Sequence, residues 1–347
     1  MRRCVEIQVE GLRLRGTFHQ PSTRQGSMQT QEPDAGKAGV LLLNSGFLPR
    51  SAQGDLLAHL ADKIADAGFS AFRFDLPGLG DSEGDLPEDA VTFVRSVEKG
   101  ILAPFASSLA AELVELYNLD KIVMGGLCGG GITALFGAAA FKGSRIGGVF
   151  MLDPIFNLVQ VQEPQFQKKS RASRWKESWL IRMKAVYEEL RVWILSQRLS
   201  APLQKIYGRV KAARNLRRTS SARPLSQGLP KEANLKLIQS FERLKAAGLP
   251  MLVITAQDPR RTGGAFDYLE YILRNGRGRV DCRKIEGTNH SFLEGNGPQA
   301  VKELTDEWLK ANFAAGRSAR PQPVKETARG KTVELALSIE KACPTSR

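Results

Sequence analysis

Residues 122–133 of the 347-residue chain read Ile-Val-Met-Gly-Gly-Leu-Cys-Gly-Gly-Gly-Ile-Thr. The run begins as a short apolar strand and continues, after one reactive side chain, into a helix of small residues (130–141). Glycines stand two residues before and two residues after Cys128. Because glycine has no side chain, a strand and the following helix can pass closely there through a strained turn. The stretch therefore predicts a strand–turn–helix unit with the Cys128 thiol at its apex.

The segments around this unit alternate between strand and helix patterns. Short continuous apolar runs predict buried strands, and apolar residues at helical spacing predict helices between them. The predicted strands are residues 39–43, 69–74, 121–125, 146–152, 249–256 and 279–285, and the predicted helices are residues 55–67, 105–117, 130–141 and 298–313. Residues 3–10 and 13–20 alternate apolar and polar around Gly11, which predicts an N-terminal hairpin. The repeated alternation predicts the α/β class with a mainly parallel central sheet.

One basic block interrupts this alternation. Residues 155–250 contain 20 Lys and Arg against 6 Glu, a charge of +14, which equals the formal net charge of the whole chain. Helical stretches at about 175–196 and 202–218 predict a helical lid inserted into the core domain. The predicted organisation is a first core part (residues 1–154), a basic helical lid insertion (155–248), a second core part (249–315) and a flexible C-terminal tail (316–347).

The position of Cys128 favours chemistry at its sulfur. Residues 126–130, Gly-Leu-Cys-Gly-Gly, fit the pattern Gly-x-nucleophile-x-Gly. Such a turn holds the nucleophile above the carboxyl ends of the strands, where α/β proteins bind ligands. Cys128 also precedes a helix, whose dipole favours a negatively charged thiolate. The free amide of Gly129 is then a natural donor to the oxyanion of an acyl-transfer intermediate. The alternative is an inert cysteine buried in a glycine-rich turn.

A nucleophile on such a turn is followed along the chain by an acid and then by a histidine. The chain has three histidines, and only His290 lies after Cys128. His19 falls in the predicted hairpin and His59 in the first predicted helix, so both are interpreted as structural or exposed. His290 is therefore the predicted base.

Two aspartates follow predicted strands and are candidates for the acid. Asp258 comes after the strand that follows the lid and is the preferred acid. Asp153 comes after the strand that precedes the lid and is the alternative.

A second oxyanion donor is expected from the loop after the first buried strand. Residues 43–48 read Leu-Asn-Ser-Gly-Phe-Leu, and the amides of Gly46 and Phe47 are the candidates. Residues 74–84, Phe-Asp-Leu-Pro-Gly-Leu-Gly-Asp-Ser-Glu-Gly, look like a dinucleotide loop, but the third glycine falls one position late for Gly-x-Gly-x-x-Gly. They are interpreted as turn-forming residues.

These segments resemble the α/β-hydrolase superfamily. Within it, residues 43–50 and 72–84 resemble the serine-aminopeptidase-like hydrolases, including the exosortase-associated hydrolases. The cysteine at the nucleophile position resembles the one that dienelactone hydrolases have there. The resemblance covers about residues 1–155 and 248–313, and it implies an α/β-hydrolase fold with an inserted lid and a triad at the nucleophile. The chain departs from the pattern where Cys128 replaces the commoner serine and where Asn44-Ser45 stands in place of His-Gly.

Composition excludes several classes of function. The chain is 42% hydrophobic and 25% charged, as is typical of globular proteins. Its four cysteines form no Cys-x-x-Cys pair, and with only three histidines no metal site, disulfide framework or cofactor is expected. The longest apolar run, about residues 132–141, is far shorter than the roughly 18–20 residues of a membrane span. Together with an N-terminus that lacks a secretory signal, this predicts a cytoplasmic protein.

The basic block is either a solvated face that aids solubility or a surface that attracts an anionic binding partner. It attracts polyanions in general, but no zinc finger, basic zipper or RNA-recognition motif is present, so sequence-specific nucleic-acid binding is not expected. A small anionic or acyl-bearing substrate, such as an acyl thioester, fits the charge. Residues 179–195 are nearly apolar with scattered Arg and Lys, which also allows peripheral contact with an anionic membrane.

The expected activity is hydrolysis of a carboxylic ester or thioester through an acyl-enzyme on Cys128. An acyltransferase would use the same acyl-enzyme, and a non-catalytic hydrolase-like binding protein would keep the pocket without turnover.

Overall fold

The structure, a computed structural model, describes residues 1–22, 38–87, 89–158, 231–256 and 280–314, together with residues 229, 268, 269, 271 and 278. All of them lie within one compact unit, Met1–Ala315. The body of the predicted lid, Asp258 and the predicted tail lie outside the described residues. The predicted domain boundaries therefore stay predictions.

The described strands form one sheet. They are β1 (Arg2–Val9), β2 (Leu12–His19), β3 (Ala38–Leu43), β4 (Ser70–Phe74), β5 (Lys121–Leu127), β6 (Ile146–Leu152), β7 (Met251–Ala256) and β8 (Asp281–Ile285). Their order in the sheet is β1-β2-β4-β3-β5-β6-β7-β8. β1 pairs antiparallel with β2, β2 pairs antiparallel with β4, and all later pairings are parallel. The predicted hairpin and mainly parallel sheet are confirmed.

The described helices are α1 (Leu56–Asp66), α2 (Ala90–Lys99), α3 (Ala103–Leu116), α4 (Gly129–Ala140), α5 (Leu235–Ala246) and α6 (Gly297–Phe313). Helix α2 has no counterpart among the predicted elements. Four of its ten residues are β-branched, which weakens the helical signal in the sequence. In the structure Asp89 caps its first turn, and Phe93 and Val97 are buried against the core. Among the described residues, no helix is long and apolar enough to cross a membrane.

Apolar side chains cover both faces of the sheet. Successive strand residues point to opposite faces, so Leu41 packs in the cluster under α2–α5 and Leu42 in the cluster under α1 and α6. Helix α5, which also matches no predicted helix, lies at the end of the range predicted as lid, yet its Leu237, Ile238 and Phe241 are buried in the same cluster as Leu41. The carboxyl ends of the buried parallel strands are thereby held in fixed positions.

The chain leaves and re-enters this core at one place. Leu158 N donates to Glu232 O at 2.6 Å, and Asn234 N donates to Phe156 O at 2.8 Å. Between these bonds, Asn157 and Ala233 form an antiparallel bridge. The chain that enters the predicted insertion, a few residues after β6, is thus paired with the chain that returns from it.

A buried polar cluster joins β2, β4 and α1. His19 is 1% exposed; its Nδ1 lies 2.8 Å from Asp62 Oδ1, and its Nε2 accepts a hydrogen bond from Arg73 Nε at 3.0 Å. A nitrogen that accepts cannot carry a proton, so the ring is held neutral. Burial is the main reason that the pKa of His19 is lowered; the hydrogen bond with Asp62 opposes this shift, and the charge of Arg73 adds to it. His19 is therefore a structural side chain, since neither ring nitrogen is available to a substrate.

We expect the free energy of unfolding to decrease as the pH falls below about 6.5, the ordinary pKa of histidine. Below that pH the unfolded chain binds a proton that buried His19 does not bind, which favours unfolding by at most about 1.4 kcal/mol per pH unit. Urea unfolding at several pH values measures the slope. His19→Gln should flatten it, whereas His59→Gln, at an exposed position of α1, should not. Identical slopes in all three proteins would contradict this assignment.

Candidate active site

The turn between β5 and α4 has the strained backbone that the sequence predicts. Cys128 has φ 53° and ψ −115°, a conformation that costs a residue with a side chain about 1–3 kcal/mol. Hydrogen bonds on both sides hold it: Cys128 N donates to Leu152 O at 2.8 Å, and Cys128 O accepts from Ile132 N at 3.2 Å. The thiol is partly exposed at the first turn of the helix.

Glycine is required around Cys128 because the helix packs against backbone. A Cβ at Gly130 would lie 2.5 Å from Leu43 O and 2.7 Å from Asn44 O. A Cβ at Gly126 would lie 2.7 Å from the carbonyl carbon of Gly130. The steric prediction for residues 126–130, called the elbow below, is therefore confirmed.

The predicted oxyanion loop lies directly beside the elbow. Leu48 N donates to Ser45 O at 3.2 Å, which closes a turn over residues 45–48, the oxyanion turn, with Gly46 at φ 61°. A Cβ built at Gly129 would be only 3.4 Å from Gly46 N, so the backbones of the two glycines are neighbours. Helix geometry leaves the first N–H groups of α4 without helical partners, which makes the Gly129 amide available to an anion.

Phe47, the other residue of that turn, places its ring against α2. The Phe47 and Phe93 ring centroids are 4.4 Å apart, and Phe47 remains 44% exposed. An apolar surface therefore adjoins the neighbouring Gly46 and Gly129.

His290 pairs with an aspartate in the loop after β6. His290 Nδ1 lies 2.5 Å from Asp153 Oδ2, and since a carboxylate only accepts, the ring nitrogen donates. This bond leaves Nε2 as the nitrogen that can accept a proton. Asp153 is buried, whereas the side chain of His290 is 30% exposed, so the imidazole spans from the interior to the surface.

Sheet pairing brings Asp153 next to Cys128. Leu127 and Leu152 are paired in register at the carboxyl ends of β5 and β6. Cys128 directly follows β5, and Asp153 directly follows β6. Asp153 N donates to Ile254 O at 2.7 Å, and Asp153 has φ 45°, so it too is held in a strained conformation. Cys128, Asp153 and His290 thus belong to the same end of the sheet, at the carboxyl ends of its parallel strands.

The loop that carries His290 is fixed from both sides. Phe292 is fully buried, and its N–H donates to Asn289 O at 2.9 Å. The hydroxyl of Ser291 donates to the side chain of Gln53, which follows the oxyanion turn in the chain. Packing and hydrogen bonding therefore set the position of the imidazole before any ligand arrives.

The structure places Cys128 and Gly129 beside Gly46, and it pairs His290 with the alternative acid Asp153, which follows the strand beside β5. The preferred acid, Asp258, lies outside the described residues. The sequence signal for Asp153 is its place after the strand that neighbours β5, but that neighbourhood depends on the order of strands in the sheet. Among the described residues, no group of three or more His, Cys, Asp or Glu is arranged to hold a metal ion.

Comparison with families of known proteins gives a match over residues 40–304 to the model described as "Alpha/beta hydrolase family". The chain belongs to the alpha/beta hydrolase family. The match begins in β3, includes the elbow and His290, and extends into α6. No curated protein sequence matches the chain.

Solved structures of other proteins share this alpha/beta hydrolase fold at low sequence identity. DcsB in complex with its substrate analogue is 16% identical, with a TM-score of 0.51 over 90% of this chain and 100% of that chain. Dienelactone hydrolase from Anabaena variabilis is 14% identical, with a TM-score of 0.50 over 90% and 98%. The Pyrococcus furiosus esterase Pf2001 is 15% identical, with a TM-score of 0.50 over 90% and 92%. These likenesses establish the fold alone.

We expect Gly130→Ala to lower the free energy of unfolding by about 1–3 kcal/mol, because its methyl group overlaps the backbone at Leu43 and Asn44. Gly129→Ala is the matched control, since the atoms nearest to its Cβ, Gly46 N and Val97 Cγ1, would be 3.4 Å away and alanine favours a helix. Urea unfolding of both variants measures the difference. Equal effects of the two substitutions would show that the close approach at Gly130 is not what the elbow requires.

Proposed function

We propose that this hydrolase-family chain cleaves a carboxylic ester or thioester through an acyl-enzyme on Cys128, with His290 as base and Asp153 as its partner. The observation that carries the proposal is that the candidate groups share one end of the sheet, at the carboxyl ends of its parallel strands. A strained Cys128 at a helix N-terminus and a bonded His290–Asp153 pair meet there, beside the amides of Gly129 and Gly46. Nucleophile, base and orienting acid are the three parts that nucleophilic acyl transfer needs.

In the first step the Cys128 sulfur attacks the carbonyl carbon of the substrate, and its proton passes to His290. The tetrahedral oxyanion accepts hydrogen bonds from the amide of Gly129 and from that of Gly46 or Phe47. When it collapses, the bond to the leaving alkoxide or thiolate breaks, and that group takes the proton from His290. Water then adds to the thioester and gives a proton to His290, and the C–S bond breaks as that proton returns to sulfur and the acid is released.

Asp153 is proposed as the acid in preference to Asp258. Its 2.5 Å contact with His290 Nδ1 holds the tautomer in which Nε2 accepts the proton, and its charge stabilises the imidazolium. Asp153 also neighbours Cys128 through the pairing of β5 with β6.

The substrate is proposed to be a small molecule that is anionic or acyl-bearing, such as an acyl thioester. The insertion that carries the charge of +14 in the sequence leaves the core a few residues after Asp153, so this basic segment is joined to the core close to the site. The same basic insertion is what favours the predicted contact with an anionic membrane. A cytoplasmic location is consistent with Cys4, Cys128 and Cys282 being free thiols. Membership of the serine-aminopeptidase-like subfamily stays a prediction.

We expect p-nitrophenyl acetate to acetylate the protein once, at Cys128, and Cys128→Ala to abolish this adduct in the intact mass. Burial is the main reason that the pKa of the Cys282 thiol is raised to about 11, so Cys282 competes poorly for the reagent. Cys4, which is exposed, and Cys343, which lies outside the described residues, are the competitors to exclude, and Cys4→Ala and Cys343→Ala should label like the wild type. His290→Ala should slow acylation about 10²- to 10⁴-fold, whereas His59→Ala should not.

The enzyme hypothesis fails if Cys128 labels no faster than Cys4 or Cys343. Under that outcome the chain is a hydrolase-like binding protein. If the adduct forms but is released faster by an added alcohol or amine than by water, the acyl group is transferred and the chain is an acyltransferase.

We expect Asp153→Asn to lower kcat/KM for ester hydrolysis by about 100-fold or more, because the amide no longer holds the required imidazole tautomer or stabilises its cation. Asp258→Asn is the matched comparison and should retain most of the activity. Steady-state hydrolysis by the two variants distinguishes the two acids. The reverse order of effects would return the role to Asp258.

A further inference from the structure

We propose that Asp75 is a positioning residue that holds the oxyanion turn in its catalytic geometry, with Asn44 and Arg50 as its two links to that turn. The inference rests on the proposed function, because it assigns the second oxyanion donor to residues 45–48. The three side chains are called the anchor cluster below. None of them touches the reacting atoms in the mechanism above.

Asp75 is a buried carboxylate, 0% exposed, at the carboxyl end of β4. Its Oδ1 accepts from Asn44 Nδ2 at 2.8 Å and from Arg50 N at 2.7 Å, and its Oδ2 accepts from the Arg50 guanidinium. A buried charge persists only when it is paired in this way. The donors come from both ends of the loop that contains the oxyanion turn, so one carboxylate ties the two ends together.

Asn44 also forms a hydrogen bond to the turn itself. Its Nδ2 also donates to Leu48 O at 3.0 Å, and its Oδ1 accepts from Leu76 N at 2.8 Å. Asn44 therefore bonds to the last residue of the turn and to the chain after β4 at once. Its side-chain amide therefore supplies a donor and an acceptor that are both satisfied.

The anchor cluster has little freedom to rearrange. Arg50 Nε donates to Thr17 Oγ1 at 3.2 Å, and Arg50 Nη1 donates to Asp81 Oδ2 at 2.9 Å, so the guanidinium is bonded to β2 and to a turn after β4. A Cβ at Gly80 would lie 2.2 Å from Asp75 Oδ2, which shows how closely the chain wraps the carboxylate. Movement of Asp75 would therefore move the oxyanion turn.

Two reactions of the same thiol separate positioning from a general effect on the site. Acylation by p-nitrophenyl acetate passes through a tetrahedral oxyanion, which needs the donors of Gly129 and the turn. Alkylation by iodoacetamide forms the C–S bond as the C–I bond breaks and iodide leaves, so no oxyanion forms at a carbonyl carbon. A residue that positions the turn affects the first reaction and not the second.

The test compares both rates at Cys128 in the full chain with and without Asp75→Asn. We expect acylation to slow about 10- to 100-fold, since a displacement of about 1 Å can cost that much, while alkylation stays at the wild-type rate. In steady state the loss should appear in kcat with KM little changed, because ground-state binding does not use the oxyanion. Asp81→Asn is the matched control: its amide oxygen can still accept from the Arg50 guanidinium, so it removes only an exposed negative charge and should leave both rates unchanged.

Arg50→Gln and Arg50→Lys keep the test decisive if Asp75→Asn does not fold. Arg50→Gln removes the ion pair and should slow acylation selectively, and Arg50→Lys, which restores a positive charge, should recover part of the rate. Unchanged acylation in the folded variants overturns the proposal, and so does equal slowing of acylation and alkylation. Failure of the proposed function looks different, since wild-type Cys128 would then be acylated no faster than Cys4 or Cys343.

Discussion

The close approach of α4 to the end of β3 is the constraint on which the site depends. Gly130 lies against Leu43 O and Asn44 O, with no room for even a methyl group. This contact forces Cys128 into its strained conformation at the apex of the elbow. It also sets the first amides of α4 beside Gly46, because Asn44 leads directly into the oxyanion turn. One steric contact thus fixes both the thiol and the groups that would stabilise charge developing next to it.

Three residues with strained backbone conformations lie around the site, at the carboxyl end of the sheet. Cys128, Asp153 and Phe292 all have positive φ, and they lie at the thiol, at the histidine's partner and two residues after His290. Such conformations persist only where neighbouring contacts determine them, here the strand pairing of β5 with β6 and the full burial of Phe292. The stability of the surrounding sheet and helices therefore maintains a site that local preferences alone would relax.

Polar contacts hold the loops on the β3–β4 side of the site in place. Arg73 donates to His19 and to Arg50 O, and Arg50 in turn binds Asp75, so the cluster at the N-terminal hairpin is continuous with the anchor cluster. Burial, with the nearby charge of Arg50, lowers the pKa of Arg73 to about 10, which still leaves it charged at neutral pH. Each buried charge in these two clusters is paired or hydrogen-bonded. Removing one partner therefore leaves another buried group without its bond.

The sequence by itself determined the strands, most of the helices and the elbow, because these follow from apolar runs and glycine spacing. It also identified His290 as the candidate base, because the other two histidines precede Cys128 in the chain. It did not determine helix α2, whose β-branched residues become helical through the burial of Phe93 and Val97. Nor did it predict the contact of Asp153 with His290, which spans 137 residues and depends on which strand lies beside β5. The bonds of Asp75 to Asn44 and Arg50, 31 and 25 residues away, have no periodic signal either. Only the tertiary structure decided these pairings, because hydrogen bonds between distant segments form where the sheet order places them.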